Sequence, residues 1–333
     1  MKLPTLNEIP LRDKRVLLRL DTDLPVEDGK IIDEYRLKAS IPTLEFLQEQ
    51  KAEIIILGHR GHPKEEKKED LSLRPVANAL SELVNYEIPV INEWLDGGFE
   101  DRKIVMLENL RFDIHEEEND PEFAKKLAQL GEVYINESFA DSHREHASII
   151  GLPLLLPHAA GLHLIEEVVH LSRVFDNPRR PVVIIVGGAK EEKTQYIPAF
   201  ENSADWILVG GLLPRFISPS LKVKVAQLIP SGRDITSAAA REFAAVVEKA
   251  GTIVWNGPLG MYEKEEYRAG TEIVARALVE SDAYKVVGGG DTVAALTTLK
   301  ILSTIEWVST GGGAMLEFLA NGDLPGLKAL RNG

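Results

Sequence analysis

Arginines, histidines and glycines recur at one kind of place in this chain, directly after short apolar runs. Asp21-Thr22-Asp23 follow the run at 15–20, and Gly58-His59-Arg60-Gly61-His62-Pro63 follow the run at 53–57. Glu108-Asn109-Leu110-Arg111 follow 103–107. Asn136-Glu137 follow 132–135, with His143-Arg144-Glu145-His146 close behind. The second half differs: Gly187-Gly188-Ala189-Lys190, Gly210-Gly211, Asn256-Gly257-Pro258, Gly288-Gly289-Gly290-Asp291 and Gly311-Gly312-Gly313. Guanidinium forks and imidazoles grip small anions. Glycines that open into helices present bare N–H groups and a positive dipole end, which accept phosphate. The pattern predicts an anionic substrate on the first half and a nucleotide on the second, facing each other across a hinge.

Single elements have plainer uses. A GG pair also makes a tight turn, and a strand-end histidine also serves packing. His143 and His146 have HxxH spacing, but lack the HExxH glutamate and further ligands, so no metal site is read there. No GxxxxGK[ST] occurs and no GxGxxG follows the first run. Neither a P-loop nor a standard Rossmann dinucleotide site is expected.

The elements that must carry these groups are legible in the hydrophobic pattern. Apolar runs at 15–20, 53–57, 103–107, 132–135, 182–186, 206–209, 252–255, 284–287 and 305–308 are mostly continuous rather than alternating. Strands buried on both faces of a parallel sheet read this way. Helical patterns lie between them at 38–50, 73–84, 121–130, 160–175, 236–250, 268–281, 292–300 and 314–320, with Thr236 and Asp291 as N-caps. The alternation predicts an α/β fold of two Rossmann-like lobes with mainly parallel sheets, joined by a central helix and hinge.

A chain of 333 residues exceeds the roughly 250–300 at which single cores stop growing, which favours two domains. The boundaries read as a first lobe at 1–156, a joining helix and linker at 157–180, a second lobe at 181–314, and a C-terminal segment at 315–333 that packs back near the hinge and first lobe. The net charge of −14 argues against bulk nucleic-acid binding. There is no cysteine, so no disulfide or thiolate metal site. No stretch approaches the roughly 20 apolar residues of a membrane span. Met1-Lys2-Leu3-Pro4 opens without the apolar region of a signal peptide. The charge run Lys64–Asp70 reads as a solvated loop.

Taken in order, LENLRF at 107–112, HREHAS at 143–148, GGAK at 187–190, WNGPLG at 255–260, GGGDT at 288–292, STGGGA at 309–314 and Leu324-Pro325-Gly326 resemble phosphoglycerate kinases. The resemblance runs from about Arg15 to Leu330. It implies a cytoplasmic, monomeric enzyme of glycolysis and gluconeogenesis. Such an enzyme moves a phosphoryl group between 1,3-bisphosphoglycerate and ADP with Mg²⁺, giving 3-phosphoglycerate and ATP. It implies a first lobe for the glycerate and a second for the nucleotide. Arg36 matches the catalytic arginine, and Asp21, His59, Arg111 and Arg144 match the anionic-substrate cradle. Lys190 matches the lysine that meets the phosphates, Glu263 the ribose contact, and Asp291 the acidic group near Mg²⁺. Thr292 and Gly311–Gly313 match positions that meet nucleotide phosphates; Gly187, Gly188, Gly210, Gly211, Asn256 and Gly290 complete the expected nucleotide site.

Four departures stand out. The family's D-x-N is here Asp21-Thr22-Asp23, which exchanges an amide donor for an acceptor-only carboxylate. The family's SHLGRP is Gly58-His59-Arg60-Gly61-His62-Pro63, which exchanges a guanidinium for an imidazole. Arg60 is expected to replace the lost fork, with Asp23 keeping His62 protonated. The second lysine of the GGAK region is Thr194 here, with Lys193 one place earlier, so either one residue is deleted or the lysine is lost. Finally, the stretch from Gly211 to Thr252 is dozens of residues shorter than expected. These departures keep two other readings open: a related acyl-phosphate kinase with another carboxylate substrate, and a non-catalytic nucleotide-binding paralogue.

Overall fold

The computed structural model describes residues 1–63, 69–94 and 102–333; Lys64–Lys68 of the charge run lie outside the described residues. The chain divides into two compact units, Met1–Val168 with Leu324–Gly333, and Val169–Asp323.

The first unit holds β1 (Arg15–Arg19), β2 (Val26–Glu27), β3 (Lys30–Ile31), α1 (Tyr35–Glu49), β4 (Glu53–Leu57), α2 (Arg74–Val84), β5 (Val90–Ile91), β6 (Ile104–Leu107), α3 (Ile114–Glu117), α4 (Pro121–Ala128), β7 (Val133–Asn136) and β8 (His158–Ala160). Its sheet runs β5-β6-β4-β1-β7-β8, every pairing parallel. Val16, Leu18, Ile54, Ile56, Met106 and Ile135 pack with Leu37, Leu44 and Leu47 of α1 and Val76, Ala77 and Leu80 of α2. The alternate strand positions Leu17, Ile55, Val105 and Tyr134 are buried too. Both faces are therefore covered, which is why these strands read as unbroken apolar runs.

Next, α5 (Leu162–Ser172) crosses from one unit into the other. The second unit follows with β9 (Val182–Val186), α6 (Ile197–Ser203), β10 (Trp206–Val209), β11 (Val223–Val225), α7 (Ser237–Val247), β12 (Thr252–Asn256), α8 (Ala269–Glu280), β13 (Tyr284–Gly288), α9 (Gly290–Thr298), β14 (Trp307–Ser309) and α10 (Gly312–Asn321). Its sheet runs β11-β10-β9-β12-β13-β14, again all parallel. Ile185, Ile253 and Trp255 pack with Phe243 of α7 and Leu278 of α8. Each such burial is worth about 1.5–3 kcal/mol. The last helix, α11 (Pro325–Asn332), belongs to the first unit, and Gly326 donates its N–H to the Ser142 carbonyl at 2.8 Å.

All nine apolar runs form strands. The pattern missed the short edge strands β5, β8 and β11 and the β2–β3 hairpin, whose few residues leave little periodicity. Thr236 caps α7 by accepting from the Ala239 N–H at 3.2 Å. Asp291 does not cap α9. Gly289 holds that position at φ +92, so Asp291 sits in the first turn, where its charge suits the helix dipole.

Candidate functional site

Register decides which residues meet. Arg19 of β1 lies level with Leu57 of β4 and Asn136 of β7. The segments beginning at Leu20, Gly58 and Glu137 therefore leave the sheet side by side, at its carboxyl edge, where parallel sheets bind ligands. Three predicted residues converge there. Arg36, in the first turn of α1, points Nη1 at Asp21 (3.3 Å) and at the Asp23 carbonyl (3.3 Å). Burial pushes the Asp21 carboxyl up to about 6, against the pull of Arg36. Asp21 in turn raises the Arg36 guanidinium. His59 is buried and its Nε2 lies 3.9 Å from Asp23.

Arg111 joins this edge from the turn after β6. Its Nη1 donates to the Gly61 carbonyl at 2.9 Å and its Nε faces Glu117 at 3.3 Å. Burial lowers its pKa, with Asp141 and Glu117 opposing. Arg144 is exposed, its backbone N–H bonded to the Asp141 carbonyl at 2.8 Å.

The expected repair by Arg60 is not what the side chains do. Arg60 donates Nε to the Leu24 carbonyl (3.3 Å) and Nη1 to the Asp70 and Ser72 carbonyls. A fork tied to backbone oxygens does not stand in for one that grips a ligand. Asp23 accepts from the Gly61 N–H at 2.9 Å and faces His59, not His62. The exposed His62 has Glu117 at 3.9 Å, and Arg111 Nη1 lies 3.4 Å from its Nδ1.

Beneath this edge lies a buried network that the sequence reading passed over. Arg19, fully buried, donates Nε to Ser148 Oγ (3.0 Å) and pairs through Nη2 with Asp141 (3.2 Å) and His59 Nδ1 (2.9 Å). The Ser148 hydroxyl donates a hydrogen bond to Glu116, which is also buried. Burial pushes Asp141 up, but His59, Arg19, the Ser138 hydroxyl and Arg111 together outweigh it and hold the carboxyl below its ordinary value. His146 is lowered to about 3, first by burial and then by Arg111 and Arg19. Nδ1 of His143 and of His146 are buried with no hydrogen-bond partner among the described residues. One signal was available: an arginine at the end of an apolar strand must find a buried partner.

The second unit's carboxyl edge is aligned by the same logic, with Asn256 level with Val186 and Gly288, and Gly288 with Ser309. Its glycines divide into two kinds. The N–H groups of Gly187, Gly188, Gly210 and Gly211 donate to the carbonyls of Asn256, Pro258, Val186 and Leu259 at 2.8, 2.8, 3.0 and 3.1 Å. A Cβ on Gly187 would meet the Pro258 carbonyl, and one on Gly211, at φ +63, the Gly188 backbone. Gly187 and Gly211 let loops pack backbone to backbone, and the N–H groups of all four are spent. That corrects the expectation that they offer bare donors. Gly290 and Gly313 face open space in the first turns of α9 and α10, where helix N–H groups have no intrahelical acceptor.

Asn256 ties these helix starts together by donating Nδ2 to the Gly312 carbonyl at 3.0 Å, while Gly312 packs on Gly289 and Gly311 N–H reaches Ser309 Oγ at 3.3 Å. Thr292 is a brace: its hydroxyl accepts from Gly257 N–H (2.6 Å) and donates to the Gly288 carbonyl (2.9 Å), and its own N–H serves Gly289. Its donors are therefore not available to a phosphate. Lys190 is exposed, whereas Lys193 donates Nζ to the Gly187 carbonyl at 3.0 Å. Burial lowers Lys193 to about 8, against Asp291, with Lys190 lowering it further. Glu263 is exposed in the turn after β12. Asp291 is exposed, and no group of three or more metal-binding side chains occurs among the described residues.

The phosphoglycerate kinase family model matches residues 6–229 and 220–322. A phosphoglycerate kinase of Moorella thermoacetica is 36% identical over 386 aligned positions covering 98% of each chain, and one of Thermomicrobium roseum 34% with the same coverage. An alignment of 386 positions is longer than the 333-residue chain, and the two matched segments meet at 220–229, within the stretch read as shortened. The phosphoglycerate kinase structure from Coxiella burnetii superposes with TM-score 0.83 at 32% identity, covering 99% of both chains. That of Pyrococcus horikoshii OT3 superposes with TM-score 0.86 at 28% identity, covering 99% of this chain and 98% of its own.

Proposed function

The chain belongs to the phosphoglycerate kinase family and carries that family's activity, and on that premise we propose which residues hold each half of the reaction. The reaction is reversible transfer of a phosphoryl group between 1,3-bisphosphoglycerate and ADP, giving 3-phosphoglycerate and ATP. The glycerate binds at the first unit's carboxyl edge, on Asp21, Arg36, His59, Arg111 and Arg144. The nucleotide phosphates bind at the second unit's edge, on the free N–H groups that open α9 and α10 and on Lys190 and Lys193. Glu263 reaches the ribose.

The observation that carries this reading is the exposed flank of Arg36. Its guanidinium is oriented by Asp21 but not enclosed, since 28% of the side chain faces solvent. In the ATP-consuming direction the attacking group is the carboxylate of 3-phosphoglycerate, and in the ATP-forming direction it is a terminal phosphate oxygen of ADP; both are already ionised at neutral pH, so no general base is needed. What remains is positioning and charge neutralisation on the transferring group. Arg36 supplies a fixed cation, and the two helix starts supply fixed dipoles. Asp291 has the hard oxygen donors that Mg²⁺ prefers, and its isolation fits an ion that is shared with nucleotide phosphates. Mg²⁺ would neutralise phosphate charge there. No helix among the described residues is long and apolar enough to cross a membrane. A cytoplasmic monomer follows family precedent.

The test is ATP- and Mg²⁺-dependent phosphorylation of 3-phosphoglycerate, coupled to NADH oxidation, with Arg36→Ala as control. Turnover by the wild type that the variant lacks is the expected result. Folded wild type that binds nucleotide but turns over no carboxylate would overturn the reading.

A further inference from the structure

We infer that Arg19, braced by Asp141 and Ser148, is a positioning residue that fixes His59 as the neutral tautomer protonated on Nε2, so that His59 meets the glycerate's anionic oxygen as a hydrogen-bond donor and not as a cation. This deepens the proposed function and rests on it for the identity of the ligand.

Arginine is a donor only and stays charged. Its Nη2 lies 2.9 Å from His59 Nδ1, so Nδ1 must present its lone pair and the ring proton must sit on Nε2. A proton on Nδ1 would point at a guanidinium N–H. Asp141 also approaches Nδ1, at 3.7 Å, and would favour the opposite tautomer. It is farther away, however, and its Oδ2 already takes Arg19 at 3.2 Å and the Ser138 hydroxyl at 2.6 Å. The nearer, donor-only group decides.

The backbone is fixed as firmly as the ring. His59 N–H donates to Thr22 Oγ1 at 2.8 Å, and the Thr22 hydroxyl donates to the His59 carbonyl at 2.7 Å. A Cβ on Gly58 would collide with Thr22, so this clamp needs glycine there. Nε2 is then the ring atom left to point outward, toward Asp23 at 3.9 Å. The titratable groups facing the ring are Arg19, Asp141, Asp23, Arg111 and His146. Burial, ahead of all of them, holds His59 well below its ordinary pKa, consistent with a neutral ring.

The consequence is an anion cradle in which the arginines, and not His59, carry the positive charge. His59 supplies direction, and its contribution does not vary with pH across the neutral range. The deciding measurement is the ¹⁵N chemical shift of the His59 ring in the intact protein, wild type, Arg19→Lys and Arg19→Met, from pH 8 to 5.5. Wild type and Arg19→Lys, which keeps a donor-only cation one bond shorter, are expected to show Nε2–H throughout. Arg19→Met leaves Asp141 without its guanidinium and should let His59 protonate. Its KM for 3-phosphoglycerate should then fall by about fivefold more than that of the wild type between pH 8 and 6, because a charged donor bonds more strongly. A merely structural role would weaken binding equally at both pH values. A proton on Nδ1 in the wild type, titration of its His59 above pH 6, or an unchanged tautomer in folded Arg19→Met would overturn the inference. If Arg19→Met does not fold, the wild-type and Arg19→Lys spectra still decide it. The spectra need no turnover, so an inactive protein with the expected tautomer would count against the assigned reaction and not against this one.

Discussion

The carboxyl edges of the two sheets start from the same parallel register and present polar groups by opposite means. In the first unit the tools are side chains, and each cation arrives with a counter-ion: Arg36 with Asp21, Arg19 with Asp141, Arg111 with Glu117. Desolvating charges is costly, and pairing is what makes it tolerable. In the second unit the tools are chiefly backbone amides, with Lys190 and Lys193 beside them. There the close approach of Gly187, Gly188 and Gly211 to the 256–259 turn consumes most of the N–H groups, leaving the starts of α9 and α10. A charged cradle can be tuned by protonation and by exchange of single residues. A backbone cradle can be altered only by moving the chain. That contrast explains why this protein's departures at positions 23 and 62 fall in the first unit without disturbing its fold.

The comparison can be broken at four places. The largest effect is expected from Arg36→Ala, which should lower kcat by about 10³-fold or more, the scale of an arginine that stabilises a transferring phosphoryl group. Thermal melting should show that the fold persists, and an intact kcat would remove the side-chain half of the contrast.

Glycine substitutions test the other half. Gly187→Ala should cost more than about 2 kcal/mol in chemical denaturation, because its Cβ would meet backbone oxygens that cannot move aside. Gly290→Ala meets nothing within 4 Å and should leave stability within about 1 kcal/mol while raising the KM for nucleotide. Equal losses of stability in the two would erase the distinction between packing and ligand-facing glycines.

A smaller effect belongs to pH. Asp21 titrates at about 6, so protonation should release Arg36 and lower kcat/KM as pH falls through that value, by up to tenfold at pH about 5. Asp21→Asn should flatten that limb. On stability the sign is reversed. A carboxyl raised from 3.8 to about 6 contributes stability that is fully present below the lower value and is lost as pH rises through the upper one. That limb belongs to the first unit, so nucleotide affinity measured by calorimetry should be unchanged in Asp21→Asn.

The smallest effect is expected from Arg60→Leu. Its bonds run to the Leu24, Asp70 and Ser72 carbonyls, so it should change the KM for 3-phosphoglycerate less than about twofold and cost about 1 kcal/mol of stability. A large KM effect with unchanged melting would return Arg60 to the cradle.

Much of this was legible without coordinates. Burial on both sheet faces writes itself as continuous β-branched runs, and nine of them located the strands that carry both sites. A helix cap such as Thr236 is equally local, because its partner is three residues away. The ordered glycine motifs likewise marked the second unit's edge.

What only the tertiary structure decided is which polar atoms are already occupied. Arg19 and His59 are 40 residues apart, and Arg19 and Ser148 are 129 apart; no periodicity links such pairs. The sequence places glycines at the ends of five second-unit strands, β9, β10, β12, β13 and β14, but cannot tell whether their N–H groups are bare, since a carbonyl that takes one can come from another loop. The same holds for Arg60, whose type suggests an anion but whose partners are backbone oxygens. Residue type and spacing determined where chemistry could occur. The three-dimensional pairing of donors with acceptors decided which groups remain to do it.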